Sequence, residues 1–533
     1  DPLFFRDVDM PDNISNDADN ILSDPYQRQW DQSDIFRFRN FPAGTPTLMS
    51  TLDIRFNPFK RGQYNFLSDP SQIDASGTML DPKKSWGGLM RRVDLNDFEA
   101  ANIDYIEIWM LDPLIDNPGM SGDFYLNLGN VSEDILPDRR KSFENGYPTN
   151  GDYSKTDSTI SAIVPTSQQI NIAFDAEPQN IRKQDVGIDG LDDAQERQYF
   201  DTLYLDKLEA NFGAGSAIYQ EAFRDPANDN FLHYLEGQYD TDNANIIERY
   251  SSFQNMQGNS NPEQYTSGKY SGMPRSFSPM PNDEDVNRDF TMNQSEDYYQ
   301  YRIKMSATEL QIGKNYVSDI IEENVLLRNG QEKSFKWYQF KIPIRQYEKA
   351  VGNISDFKSI RFMRMFMTNF DKEVMIRIGN LNLVRADWRR YTNSLKQPGI
   401  IIPVDPNDGT QFSVSTVNKE ENGNRSPIVY VEPPGVERVQ NLASLGTTRE
   451  NEQALSLSVC NLKPGDSRAA FKTSQFDIRN YKRLQMFLHA EAPENLNLKD
   501  DEVSAFIRFG TDLTNNYYEY EIPLKVTRGI YNN

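Results

Sequence analysis

Ile106-Glu107-Ile108-Trp109-Met110, Met363-Arg364-Met365-Phe366-Met367 and Leu484-Gln485-Met486-Phe487-Leu488 share one pattern: apolar, polar, apolar, aromatic, apolar. Apolar residues at every second position mark a strand with one face in a core. The aromatic at the fourth position would cover part of the opposite face. Three copies of one pattern are an internal repeat, and the repeat organises the rest of the chain.

Each copy leads to a second strand ending in glycine: Phe124-Tyr125-Leu126-Asn127-Leu128-Gly129, Val374-Met375-Ile376-Arg377-Ile378-Gly379 and Ala505-Phe506-Ile507-Arg508-Phe509-Gly510. The glycine marks an exit turn or a bulge. Asp97-Phe98, Asp356-Phe357 and Asp477-Ile478 lead into the three units. Tyr298-Tyr299-Gln300-Tyr301-Arg302-Ile303 matches Tyr517-Tyr518-Glu519-Tyr520-Glu521-Ile522 as a closing strand. This strand follows Gly510 closely but lies far beyond Gly129, so the first unit carries a long insertion. Its stretch from Asp192 to Phe223 has helical apolar spacing at Tyr199, Leu203, Leu208 and Phe212, with Gly213-Ala214-Gly215 as a helix break. Gly258 to Asp285 reads as a long surface loop.

The resulting expectation is a mainly β chain of three tandem antiparallel β-sandwich, jelly-roll-like domains. Residues 1–40 form an extended N-terminal segment. Residues 41–310 form the first sandwich, with a partly helical insertion at about 132–293. Residues 311–430 form the second sandwich and 431–533 the third, joined by the stiff linker Val431-Glu432-Pro433-Pro434-Gly435.

Composition agrees. A chain of 533 residues is too long for one core. The 27 Tyr and 31 Phe favour strands over helical bundles. A formal charge of −23, spread along the chain, argues against nucleic-acid binding and for solubility. The single cysteine, Cys460, excludes an internal disulfide and, beside Leu455, Leu457 and Val459, reads as a buried inert thiol. No apolar run approaches the ~18 residues of a membrane-spanning helix, and barrel strands with aromatic girdles are not evident. The start at Asp1, without Met or leader, reads as a mature product or an excised fragment.

Two histidines, His233 and His489, have no partner spacing for zinc or a triad, and no carboxylate pair stands out, so an enzyme is not expected. The most specific local signal is Asp185-Val186-Gly187-Ile188-Asp189-Gly190-Leu191-Asp192-Asp193-Ala194-Gln195-Glu196. Calcium loops place oxygen ligands at alternating positions and a glycine at the sharp turn. Asp185, Asp189, Asp193 and Glu196 fall at ligand positions and Gly190 at the turn, which makes Ca2+ the one cofactor expected. Gly187 stands where a further carboxylate belongs, and no helix is evident before the loop. An acidic helix N-terminus, with Asp192 and Asp193 favoured by the helix dipole, accounts for the same residues.

Several long motifs resemble the SprA/Sov family. These are Asn57-Pro58-Phe59-Lys60-Arg61-Gly62-Gln63-Tyr64-Asn65-Phe66, Trp86-Gly87-Gly88-Leu89-Met90-Arg91, Asn127-Leu128-Gly129-Asn130-Val131-Ser132-Glu133-Asp134, Phe357-Lys358-Ser359-Ile360-Arg361-Phe362 and Trp388-Arg389-Arg390-Tyr391. The resemblance implies a soluble segment of a very long outer-membrane barrel, the protein-conducting translocon of type IX secretion, linked in some species to gliding motility. The implied partners are the rest of that barrel, a PorV-type shuttle barrel, a plug protein and secreted cargo with a C-terminal signal. The implied location is the outer membrane, as an extracellular cap rather than in the periplasm. The alternative from the residues is a carbohydrate-binding cell-surface sandwich; an envelope glycosidase is the weaker third reading.

Overall fold

The strand expected around Ile106 forms as β3 (Ile103–Leu111) and is buried along almost its whole length. Ile106, Ile108 and Met110 point into the main core, and Trp109 and Leu111 into a second core on the other face. The alternation and the covering aromatic are both as the pattern requires.

A computed structural model describes residues 11–36, 39, 41, 46–168, 170–385, 388–396, 399–405, 408–423, 428–436, 438, 451–473, 481–493 and 496–528. Strand makes up 29% of the chain and helix 13%, so the fold is mainly β. Besides β3, ten-stranded pairing uses β1 (Leu52–Phe56), β2 (Trp86–Arg92), β4 (Gly122–Asn130), β5 (Asp297–Met305), β6 (Val317–Leu326), β7 (Glu332–Pro343), β8 (Lys349–Val351), β9 (Phe362–Thr368) and β10 (Val374–Arg385). One antiparallel sheet runs β1-β10-β3-β7-β6 and the other β8-β5-β4-β9-β2. Their inner faces share one core, with Ile54, Ile108, Phe340 and Ile376 from the first sheet and Phe124, Leu126, Tyr301 and Met365 from the second. Gly379 sits at a bulge, where the β10–β3 register shifts between Ile378 and Asn380.

The boundary expected at 310/311 does not divide this sandwich. In its sheet β3 lies between β10 and β7, and β9 lies between β4 and β2. The first two copies of the repeat are therefore two strands of one sandwich, one in each sheet. Similar strands have similar burial needs, so sequence likeness alone does not tell a repeated domain from a repeated strand.

The N-terminal segment is not extended among the described residues. It forms single helical turns at Asp12–Ser15, Ala18–Ile21 and Gln32–Ile35. Tyr26, Trp30, Ile35 and Phe36 cover the outer face of the first sheet over Trp109, Phe335 and Trp337. Arg377, fully buried, ion-pairs with Asp53 at 2.6 Å and donates to the carbonyls of Pro25, Tyr26 and Arg28, which fixes this cover to β10 and β1.

Residues 131–296, between β4 and β5, hold the helices α1 (Pro178–Gln184), α2 (Asp193–Tyr199), α3 (Asp206–Phe212) and α4 (Ala217–Arg224). A π turn over Asp201–Leu205 joins α2 to α3. The wider turn rotates the apolar face, so Tyr204 and Leu205 are buried and the expected core residue Leu203 is 50% exposed.

The third copy departs from expectation. Leu484 to Leu488 form no strand, and Leu484, Met486, Phe487 and Leu488 are exposed. The lead-in Asp477-Ile478 lies outside the described residues. The later strands Ser504–Gly510 and Tyr517–Pro523 form a hairpin. Gln411–Val417, which falls within the expected second domain, pairs with Ala454–Cys460, which falls within the expected third. Cys460 is exposed rather than buried, because Leu455, Leu457 and Val459 in that strand gain no covering layer among the described residues.

Candidate metal centre

The insertion is poor in regular pairing, so its backbone N–H groups need other acceptors. Buried carboxylates supply them. Glu144 accepts from the amides of Gly187 (3.0 Å) and Asn282 (2.6 Å). Glu284 accepts from those of Leu136 and Ser142, both at 2.8 Å, and burial pushes its carboxyl up to about 8. Glu133 accepts from Asn287 and Asn293. Asp185 belongs to this set: it accepts from Gly258 (3.2 Å) and Ser260 (2.9 Å), and burial raises it to about 7. These bonds, with Glu284 and Asp285 buried, pin the two ends of the 258–285 segment, which between them is irregular and largely exposed, as the expected surface loop.

The acidic loop lies between two helices, since α1 ends at Gln184 and α2 begins at Asp193. Asp192 caps α2 by accepting from the amides of Ala194 and Gln195, and Gln195 reciprocates. Gly187 and Gly190 both have positive φ, where a side chain is strained. Space forbids one as well: a Cβ on Gly187 would strike the Asp229 carboxylate, and one on Gly190 the Tyr147 hydroxyl.

This turn brings Asp189 beside Glu196 of α2 and Asp229, whose carboxylate oxygens lie within 4.8 Å of one another. All three side chains are fully buried. Each has one oxygen satisfied. Asp189 Oδ1 accepts from the Leu191 amide (3.1 Å), Glu196 Oε2 from the Ala227 amide (2.9 Å) and Asp229 Oδ2 from the Tyr64 hydroxyl (2.8 Å). The other oxygen of each, Asp189 Oδ2, Glu196 Oε1 and Asp229 Oδ1, is buried without a hydrogen-bond partner. A second group shares Glu196 and adds the half-buried Asp193 and Asp225, also within 4.8 Å.

The electrostatics are unfavourable as the residues stand. Two carboxylates at such a separation repel by about 3 kcal/mol at an effective dielectric near 20. Burial, then the neighbouring acids, raises Asp189, Glu196 and Asp229 well above the usual carboxylate range. Among the described residues no ion pair reaches these carboxylates. Arg61, close by, donates instead to the backbone carbonyls of Asp225 and Pro226 and so holds the 225–230 turn in place.

Of the four ligands expected from the sequence, the structure brings Asp189, Asp193 and Glu196 into these groups and engages Asp185 elsewhere. Asp225 and Asp229 were not singled out by sequence reasoning. Their signal was the run Asp225-Pro226-Ala227-Asn228-Asp229-Asn230 directly after an amphipathic helix. His233 lies apart in an aromatic cluster with Phe231, Tyr234, Phe253 and Tyr265. Among the described residues no helix is long and apolar enough to cross a membrane.

A family model, SprA_N, described as a motility related/secretion protein, matches residues 203–533, more than half of the chain. No curated protein matches it.

Proposed function

The chain belongs to the SprA_N family of motility related/secretion proteins, and from that membership we propose that it is a non-catalytic structural and interaction segment of the type IX secretion translocon. The observation that carries this reading is the family match over residues 203–533. In this reading the segment caps the extracellular side of the outer-membrane channel. Its partners are the channel barrel, a PorV-type shuttle barrel, a plug protein and cargo with a C-terminal signal.

Two features of the fold support it. The strand order of the sandwich supports a jelly roll, with β1-β10-β3-β7 in one sheet and β5-β4-β9-β2 in the other. That rigid body carries its irregular insertion between neighbouring strands of one sheet, an arrangement suited to presenting surface loops. Toward the C-terminus, Leu457, Met486, Tyr518 and Tyr520 are exposed, which suits a segment that buries apolar surface against other parts of an assembly.

The test is affinity capture from envelope extracts with this chain as bait, read by mass spectrometry. Recovery of a PorV-type barrel or of tails bearing the C-terminal secretion signal is expected. Recovery of polysaccharide alone would overturn the translocon reading in favour of a glycan-binding surface protein.

A further inference from the structure

We propose that Asp189, Glu196 and Asp229 form a calcium site that fastens the helical insertion together, with Asp193 and Asp225 extending it toward solvent through the shared Glu196. The acidity of the cluster is not the argument. The argument is that each of three fully buried carboxylates has one oxygen positioned by a hydrogen bond and the other left without a partner. Buried polar atoms are rarely left unpaired, and a bound cation satisfies all three at once.

The donor set selects the ion. Only oxygens converge here, with no histidine or cysteine in either group, which disfavours metals that prefer imidazole or thiolate. Magnesium dehydrates reluctantly and usually keeps several waters, whereas calcium accepts many protein oxygens in flexible geometry. Opposite oxygens on one calcium ion stand about 4.6–5.2 Å apart, and one oxygen from each of these three carboxylates lies within 4.8 Å of the others. The half-buried Asp193 and Asp225 supply an entry path. The positioning contacts are also in place: the Tyr64 hydroxyl orients Asp229 while accepting from the Ile188 amide at 3.3 Å.

Bound there, the ion would tie the loop after α1 and the adjoining helix α2 to the turn after α4, which lies some thirty residues on. Tyr64 and Arg61 link that turn to the segment following β1. The proposal stands independently of the translocon reading.

The test uses the whole chain, stripped with EDTA and then titrated with CaCl2 in equilibrium dialysis, beside thermal unfolding with and without the ion. Saturable uptake and a rise in midpoint that MgCl2 does not match are expected. Glu196→Gln and Asp229→Asn should abolish both. Because each keeps the side chain's size and its hydrogen-bond-accepting oxygen, the metal-free variants should melt close to the metal-free parent, which separates lost binding from lost folding. Tyr64→Phe should weaken affinity by about tenfold, as loss of a ligand-orienting contact does. Asp185→Asn should leave it unchanged. If either ligand variant fails to fold, tyrosine-sensitised Tb3+ emission of the parent chain, displaced by Ca2+ and diminished in Tyr64→Phe, reads the same site. No saturable uptake by the parent, or uptake that survives Glu196→Gln, would overturn the proposal and leave the cluster as protonated acids.

Discussion

At the scale of single residues, a minority of the chain's carboxylates are internal and hold its loops. Glu133, Glu144, Asp185 and Glu284 act as acceptors for loop amides, a role that helix and sheet ladders fill elsewhere. The composition suggested a solvated surface charge, which holds for most of the carboxylates; a count carries no burial and so does not single out these few. Arg377 shows the same economy with a cation. Replacing it by Met strands Asp53 and three carbonyls, so Arg377→Met should destabilise the sandwich by about 3–5 kcal/mol, read from chemical denaturation. His233 makes a pH prediction. Burial, with Arg275 adding to it, lowers the imidazole from 6.5 to about 4. The native state thus holds it neutral with its ring nitrogens engaged, Nδ1 by the Leu235 amide and Nε2 by Ser276. A group depressed on folding contributes stability that is full above its unfolded value and lost as pH falls through 6.5 toward about 4. Over that window the thermal midpoint of the parent chain should fall relative to that of His233→Gln, the difference isolating this imidazole from the buried carboxylates, whose raised values act in the opposite direction.

At the scale of elements, the repeated pentapeptide was legible because alternation is a local property. What covers its aromatic was not. Trp109 is fully buried and meets Phe36 edge-on at 5.2 Å beneath the N-terminal turns. The equivalent Phe366 stacks on Tyr125 at 4.7 Å on a half-exposed face. Trp109→Ala should therefore cost about 3–5 kcal/mol, and Phe366→Ala only about 1 kcal/mol. Equal losses in the two variants would show that the N-terminal cover contributes nothing. The same locality explains the misplacement of Leu203: one π turn, invisible to a helical period, turns Leu203 outward and Tyr204 and Leu205 inward, while Leu208 stays in the core as expected.

At the scale of the molecule, strands from residues 52–130 and 297–385 interleave in both sheets. A fragment of residues 41–310 would lack both sheet neighbours of β3, and one of residues 311–430 would lack both sheet neighbours of β9. Each expressed alone should remain unfolded by circular dichroism and exchange its amides rapidly, whereas the two mixed should recover protection in β3 and β9. Independent folding of the 41–310 fragment would contradict the shared sandwich.

The amino-acid sequence by itself determined that residues 106–110 and 363–367 lie in strands with an apolar face, and that residues 185–196 gather carboxylates around two glycines; the same pattern at 484–488 forms no strand. The two strands and the acidic loop follow from neighbours a few positions apart. Only the tertiary structure decided that two repeats make one sandwich, that Asp185 serves backbone amides, and that Asp229 completes the group of Asp189 and Glu196. Strand partners and convergent oxygens are chosen by long-range burial, and the pairing of groups tens to hundreds of residues apart leaves no mark in local spacing.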